Sequence, residues 1–403
     1  MDAGRGRRRA RPHADVLAQP SDGPPQRRRH LGRRGGLHRP RARHQPQARR
    51  PPGLLREDGR GVRRGPAPGP DLVRAVTARY WVQLATEQFG PSSLVDQAVA
   101  AERAGFDAVN LSDHYQPWWE PGESPQAWVV LGAIAHATSR VPLGTGVTAP
   151  VYRYNPAVVA QAFATLELLA PGRAFLGIGS GESLNETPCG MNWPPPDEQL
   201  DRMAEALEII TGLLDGSAVD FDGQWFRTVA ARLHSMPRRR VPVYVSAFGD
   251  QAAGLAARFG DGLWTLAKPD QAPSIIDAYR SACDDLGKEP GEIILQAGFS
   301  WAPDDSAAFE AARVWKGAQP PDHYSDDWHD PAAMYRHGEE TVSDEQLAAG
   351  YALSADPDVH VERIREVEKL GATVVCLQNA SGADPVAALD VYGERVLPAL
   401  RGG

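Results

Sequence analysis

Residues 106–119 read Phe-Asp-Ala-Val-Asn-Leu-Ser-Asp-His-Tyr-Gln-Pro-Trp-Trp, and this junction of strand and loop decides the fold. Its first six residues, Phe106–Leu111, have the length and apolar content of a buried strand. The strand ends at Ser112, and Asp113 and His114 follow before a loop that contains proline. A carboxylate and an imidazole at a strand end suit proton transfer, because histidine titrates nearest neutrality. Taken alone, such a pair is more often a turn cap and a loop histidine, and it is the other strand ends described below that favour the catalytic interpretation.

Strands and helices alternate along the chain from residue 80 onward. Eight segments have the pattern of buried strands: Tyr80–Thr86, Phe106–Leu111, Pro142–Thr148, Ala174–Gly179, Val241–Ala247, Asp261–Leu266, Glu292–Ala297 and Ala372–Leu377. This count over about 325 residues predicts an α/β protein, a (β/α)8 TIM barrel with insertions after the fourth and seventh strands. A doubly wound open sheet is less favoured, because no glycine-rich dinucleotide fingerprint follows the first strand.

Helix starts and insertions can also be predicted. Ser92 or Ser93 is expected to cap the first helix, and Asn155 with Pro156 the third. Residues 221–233 form a short excursion in the first insertion. Residues 318–345 are polar and aromatic with few periodic positions, so we expect a long loop or lid there.

Composition indicates a globular protein without a membrane span. Apolar residues make up 42% of the 403 and charged residues 23%, which is ordinary for a globular domain. No apolar run reaches the roughly 18 residues that a spanning helix needs. The three cysteines, Cys189, Cys283 and Cys376, have no paired spacing. They favour a reduced, cytoplasmic protein over a disulfide framework.

Residues 1–78 differ from the rest of the chain. They hold 20 arginines and no lysine against six acidic residues, whereas the whole chain has a net charge of −8. Rich in arginine and proline and without apolar periodicity, this tail is predicted to be disordered. It could bind nucleic acid as a basic arm or act as an export signal. We favour a third interpretation, in which this stretch is a spurious leader before a downstream translation start. On this interpretation no nucleic-acid partner is expected, and residues 79–403 form the barrel domain.

The barrel would bring polar strand ends together at one rim. These ends are Glu87, Asp113 and His114, Gly146–Pro150, Ser180–Glu182, Ser246–Gly249 and Lys268. Two carboxylates and an imidazole can then surround one substrate. Glycines in the third and fourth strands either admit a flat ligand or let the barrel close. Trp118 and Trp119 either wall that ligand or pack the loop.

Four motifs carry a family resemblance: Ser112–Trp118, Leu143–Val147, Arg153–Thr165 and Gly177–Glu186. In this order they resemble the coenzyme F420-dependent glucose-6-phosphate dehydrogenases, within the luciferase-like flavin and deazaflavin barrels. The resemblance covers roughly residues 80–403. It implies F420 as the cofactor, a homodimer, and hydride transfer between an alcohol carbon and the deazaflavin ring.

The resemblance also implies roles for individual residues. His114 would remove the hydroxyl proton, Glu182 would protonate the deazaflavin, Trp118 would stabilise the reaction centre, and Glu87 would be a further active-site carboxylate. Cofactor contacts would come from Asp113, Gly146 and Val147 (joined by a non-prolyl cis peptide in the family), Ser180, Gly181, Asn185, Ser246, Ala247, Phe248 and Gly249.

The phosphate-binding positions of the family depart from its pattern here. Lys268 matches one basic position, but the later ones fall near Ser325 and Gly350, with Arg336 nearby. A phosphate without a cluster of lysine or arginine lacks its strong charge-assisted contacts. We therefore expect an alcohol or sugar-type substrate other than glucose 6-phosphate.

Two other enzyme classes are also built on barrels. An FMN-dependent luciferase-like monooxygenase would share the barrel, and is the nearest alternative. A metal-dependent barrel hydrolase is disfavoured, because no HxH or comparable ligand pair closes any predicted strand, and no metal site is expected.

Overall fold

The computed structural model describes residues 78–402. Apart from Ala78, the tail for which disorder was predicted lies outside the described residues. All structural statements below concern residues 78–402.

Eight parallel strands close into a barrel, as the sequence predicts. Residues 78–402 contain eleven strands in all, of which eight form the barrel. In chain order they are β1 (Arg79–Leu84), β2 (Ala108–Leu111), β3 (Leu143–Thr148), β4 (Ala174–Ile178), β5 (Val219–Asp222), β6 (Arg227–Ala231), β7 (Val243–Ser246), β8 (Gly262–Leu266), β9 (Glu292–Ser300), β10 (Tyr351–Leu353) and β11 (Val374–Asn379). The ring runs β1-β2-β3-β4-β7-β8-β9-β11 and closes because β11 pairs with β1. The short β10 pairs in parallel with the carboxyl-terminal end of β9.

Helices follow the barrel strands on the outside. They are α1 (Pro91–Ala104), α2 (Ala127–Ala137), α3 (Pro156–Leu169), α4 (Ser183–Glu186), α5 (Pro196–Leu214), α6 (Asp250–Phe259), α7 (Ala272–Asp285), α8 (Asp305–Arg313), α9 (Asp322–Ser325), α10 (Pro331–Thr341), α11 (Asp344–Gly350), α12 (Pro357–Lys369), α13 (Pro385–Val391) and α14 (Leu397–Arg401). A π-helical turn, Tyr392–Val396, joins the last two. Within residues 78–402, no helix is long and apolar enough to cross a membrane.

One of the two predicted helix starts is correct. Asn155 accepts a hydrogen bond from the Ala157 N–H at 2.9 Å, and Pro156 occupies the first turn of α3. The prediction for α1 is wrong, because this helix begins at Pro91, ahead of both serines. Proline suits that position since its fixed φ is already helical and its missing N–H is not needed.

The inside of the barrel changes from apolar to polar along the strands. Trp81, Phe175 and Trp264 belong to an apolar cluster inside the barrel. Towards the carboxyl ends, glutamine side chains replace them, and Gln83 and Gln378 are register partners on β1 and β11. The barrel therefore has a polar floor beneath the rim.

Glycines in β3 and β4 make room for the chain itself. A Cβ on Gly144 would lie 2.2 Å from the Phe175 carbonyl oxygen, and one on Gly177 would lie 2.2 Å from that of Thr145. Real Cβ atoms do not approach so closely. At these two positions the strand-packing explanation holds, rather than a space reserved for a ligand.

Two insertions interrupt the alternation where they were expected. The excursion at residues 221–233 lies largely in the antiparallel pair β5–β6. The prediction of a loop at residues 318–345 is wrong, because α9, α10 and the beginning of α11 lie there. Helix α10 buries only Pro331, Met334 and Gly338, so too few apolar side chains recur for the sequence to reveal the helix.

Candidate active site

The strand ends converge on one cavity of about 710 Å³ at the carboxyl rim of the barrel. It is lined by all four predicted catalytic residues, His114, Glu182, Trp118 and Glu87. Of the ten predicted cofactor-contacting residues, nine line it: Asp113, Gly146, Val147, Ser180, Gly181, Asn185, Ser246, Phe248 and Gly249. The tenth, Ala247, is buried, and its N–H donates to the Trp264 carbonyl at 2.9 Å.

His114 lies between two carboxylates from other strand ends. Its Nε2 is 3.5 Å from Glu87 Oε1, after β1, and 3.5 Å from Glu182 Oε2, after β4. The side chains of His114 and Glu87 are only 11% and 2% exposed. Shielded from water, charges and protons on these three groups interact more strongly than at the surface. The arrangement can hold and pass a proton.

The two carboxyl groups have different surroundings. Glu87 Oε2 accepts a hydrogen bond from Ser112 Oγ at 2.5 Å and lies 3.4 Å from Thr86 Oγ1. Glu182 accepts from Asn185 Nδ2 at 3.0 Å. Burial raises the pKa of Glu182, and His114 only partly opposes this effect. Glu182 therefore keeps its proton to a higher pH than an ordinary glutamate does.

Trp118 forms a wall of the site, whereas Trp119 does not. The ring of Trp118 lies 5.3 Å from that of His114 and 5.3 Å from that of Tyr324. Trp119 is buried against Trp315 at 4.9 Å, away from the cavity lining. Of the two alternatives for this Trp pair, ligand contact fits the first residue and loop packing the second.

Asp113 is fixed by a buried ionic network. Its carboxylate accepts hydrogen bonds from Thr148 at 2.7 Å, from Arg153 at 3.2 Å and from Tyr154 at 3.1 Å. The Arg153 guanidinium also donates to Glu186 at 2.8 Å. Burial alone would lower the pKa of Arg153, but the two carboxylates outweigh burial and raise that pKa. Asp113 is thus held in one orientation at the cavity wall.

The network escaped the sequence analysis. Arg153 and Glu186 both lie in motifs that carried the family resemblance, but they are 33 residues apart. Nothing in the spacing indicates that they meet. A buried arginine can be recognised only when its carboxylate partners are located.

The two predicted substrate-binding cations end in different places. Lys268 lines the cavity, and Arg336 does not. Arg336 is exposed, because α10 buries Met334 and Gly338 and a residue two positions after Met334 points to the other side of a helix. Of the two later positions, Gly350 lines the cavity and Ser325 is exposed.

The peptide bond between Gly146 and Val147 is cis, as the resemblance implied. It coincides with a register shift between β3 and β4. A Cβ on Gly146 would lie 2.5 Å from Asn110 Oδ1 and 2.7 Å from the Trp264 ring. Only glycine fits at this point of the cavity wall.

Comparison with known proteins identifies the family of this chain. The family model described as luciferase-like monooxygenase matches residues 73–374, and the chain belongs to that family. An F420-dependent glucose-6-phosphate dehydrogenase of Nakamurella multipartita is 40% identical over 331 residues, covering 80% of this chain and 96% of the relative. An F420-dependent hydroxymycolic acid dehydrogenase of Mycobacterium tuberculosis is 38% identical, covering 85% of this chain and 93% of the relative.

A solved structure is also similar. An F420-dependent secondary alcohol dehydrogenase, in complex with an F420-acetone adduct, superimposes with a TM-score of 0.76 at 33% identity. The match covers 81% of this chain and 99% of the other. These relatives place the chain among the F420-dependent dehydrogenases of the family and confirm the resemblance inferred from the four motifs.

Proposed function

We propose that this protein is an F420-dependent oxidoreductase that transfers a hydride between an alcohol carbon and bound F420. The observation that carries the proposal is His114, held between Glu87 and Glu182 inside the one large cavity described at the rim. The names of the relatives support F420 over the FMN-dependent monooxygenase alternative.

The cavity is large enough to bind a cofactor. Its volume of about 710 Å³ falls in the usual range for ligand sites. A Cβ on Gly249 would have no neighbour within 4 Å, so this wall faces open space. Asp113, Ser180, Asn185 and Ser246 offer hydrogen-bonding groups there and would hold the cofactor. When bound, F420 supplies the acceptor or donor of the hydride.

The chain itself supplies the proton chemistry. His114 Nδ1 lies 3.3 Å from the Gln116 carbonyl, and a hydrogen on Nδ1 leaves the Nε2 lone pair free to take a proton from a substrate hydroxyl. Glu182, with its raised pKa, holds a proton beside the same nitrogen, Nε2. Acid and base are therefore separate groups, as the oxidation of an alcohol requires.

The cavity favours a substrate without a phosphate group. Arg153 is committed to two carboxylates, and Lys268 forms no ion pair with the described residues. The Glu87 carboxylate also lines the cavity. A phosphate dianion would be repelled by it and would have one unpaired cation, Lys268, among the described lining residues to bind it. Side-chain amides such as that of Gln83, whose buried Oε1 has no hydrogen-bond partner, suit hydroxyl groups. We propose a neutral alcohol or sugar-type substrate.

A binding experiment and an assay test the proposed function. We expect F420, titrated into the purified chain, to quench tryptophan fluorescence saturably, because Trp118 and Trp264 line the cavity. FMN should quench much less. Reduction of F420 should then be faster with neutral alcohols and sugars than with their phosphate esters, compared by kcat/KM. A preference for FMN, or the highest kcat/KM for glucose 6-phosphate, would contradict the proposal.

The role of Glu182 predicts a change in the pH profile. Where Glu182 donates its proton, activity falls as pH rises through its pKa, and burial moves this fall above the ordinary value of about 4.3. We expect Glu182→Gln to lower kcat at least about 100-fold and to abolish this descending limb, since an amide does not titrate. A profile of kcat against pH tests this role of Glu182, and Glu208→Gln, at an exposed position on α5, is the control. An unchanged limb in Glu182→Gln would exclude the role.

We further propose a cytoplasmic homodimer that associates through α2 and α3. Neither helix exposes an Asp, Glu, Lys or Arg, because the single acidic residue of α3, Glu167, is buried. Val129 and Val158 are nevertheless 74% and 50% exposed. An uncharged apolar face on two neighbouring helices is typical of a protein interface. The scattered free cysteines support a reducing compartment.

Substitution of this face should separate the dimer. We expect Val129→Asp to shift the chain from dimer to monomer in sedimentation velocity, because a buried unpaired carboxylate is costly. Val229→Asp on β6 is the matched control, since Val229 is equally exposed at 74% and lies outside the two helices. A monomeric wild type, or a dimer that survives Val129→Asp, would refute the interface.

A further inference from the structure

Three potential metal ligands meet in the second insertion, outside the cavity lining. They are Asp322 and His323 of α9 and His337 of α10, and one ligand atom from each lies within 4.8 Å of the other two. We propose that these residues bind one divalent transition-metal ion. The proposal stands independently of the F420 chemistry.

The two imidazoles are already spaced for a shared ion. His323 Nε2 lies 2.9 Å from His337 Nδ1. Two nitrogens, each about 2.0–2.1 Å from one ion, are roughly 2.9 Å apart when they subtend a right angle at it. Asp322 Oδ2 is 3.8 Å from His337 Nδ1. The Asp322 side chain is 40% exposed, so it can rotate towards the ion without repacking.

Surrounding contacts orient both histidines. His323 is completely buried, and its Nδ1 lies 2.9 Å from the Gly317 carbonyl oxygen. The hydrogen therefore sits on Nδ1, and the Nε2 lone pair faces the cluster, which is the usual arrangement of a metal-binding histidine. His337 is stacked parallel to the Trp328 ring at 4.8 Å. Both ligand nitrogens are held in place before any ion arrives.

The ligand set defines the class of ion. Two imidazoles and one carboxylate suit zinc, cobalt or nickel better than magnesium or calcium, which prefer oxygen ligands. His337 and Asp322 are partly exposed, so water can complete the coordination. Tyr324, which follows His323, lines the cavity and packs near Trp118 at 5.3 Å. A bound ion would fix the segment that carries this cavity wall.

Metal binding by the full chain tests the proposal. After chelator treatment and dialysis, the protein would be titrated with Zn²⁺ by calorimetry and with Co²⁺ by visible absorption. We expect one site whose affinity falls at least 10-fold in His337→Ala and in Asp322→Asn, both partly exposed positions. His329→Ala is the matched control, because His329 pairs with Asp327 at 2.9 Å outside the cluster.

The chain has 11 histidines, and the controls separate the proposed site from the histidines outside it. Equal affinity in His337→Ala and His329→Ala would place the ion elsewhere and overturn the proposal. Absence of binding to the wild type would also overturn it, leaving a hydrogen-bonded histidine pair. Circular dichroism of each variant would verify that the fold is retained.

Discussion

Replacing His114 with alanine is expected to lower kcat for F420-dependent alcohol oxidation by roughly 10²- to 10⁴-fold, the usual contribution of a positioned acid or base. His114 Nε2 is the basic atom that faces both Glu87 and Glu182. Alanine removes it and leaves the two carboxyl groups in place. Steady-state reduction of F420, followed by absorbance under saturating alcohol, measures the loss.

Binding must be measured beside the rate, because His114 also contacts Trp118. We expect F420 affinity, from tryptophan quenching, to change less than about fivefold, since a group that acts in the transition state affects kcat more than ground-state binding. His234→Ala, at an exposed position outside the cavity lining, serves as control. If His114→Ala kept kcat within twofold of the wild type, another group would have to be the base.

Replacing Glu186 with alanine is expected to lower the free energy of unfolding by about 3–5 kcal/mol, the usual cost of breaking a buried ion pair. The Glu186 side chain has no exposed surface and that of Arg153 only 7%. After substitution, one carboxylate, Asp113, would remain to balance the buried guanidinium. Guanidinium chloride unfolding, followed by circular dichroism, measures the difference.

An exposed ion pair provides the comparison. Asp277 lies 4.0 Å from Arg280 on α7, and its side chain is 79% exposed. Asp277→Ala should therefore change stability by no more than about 1 kcal/mol. If Glu186→Ala proved as mild as Asp277→Ala, the Arg153 network would not stabilise the fold. F420 affinity should also fall in Glu186→Ala, because Arg153 orients Asp113 at the cavity wall.

The local sequence pattern predicted the barrel strands, but it did not predict the helices of the second insertion. Buried parallel strands are short apolar runs, so all eight were found within a few residues of their ends. Helix α10 owes its stability to contacts such as the close packing of Gly338 on the Lys316 carbonyl. Such a contact depends on a distant segment and leaves no periodicity in the sequence. The helices of this insertion were therefore not predicted.

The site shows the same division residue by residue. Glu87, His114 and Glu182 each follow a predicted strand. Because all strands of a parallel barrel end on the same side, the sequence predicted that these three residues share one rim. Whether Arg336 belonged with them depended on the rotation of a helix against its neighbours. Sequence distance carries no information about that rotation.

By itself, the sequence determined the order of the eight barrel strands, the residue types at the rim and, through four motifs, the family. Those properties arise from local backbone preference and apolar spacing. Tertiary structure alone decided which side chains come within hydrogen-bonding distance: His114 with two carboxylates, Arg153 with Glu186, and His323 with His337. Each partnership spans at least 14 residues. Closure of the barrel and packing of its insertion, rather than spacing along the chain, set those distances.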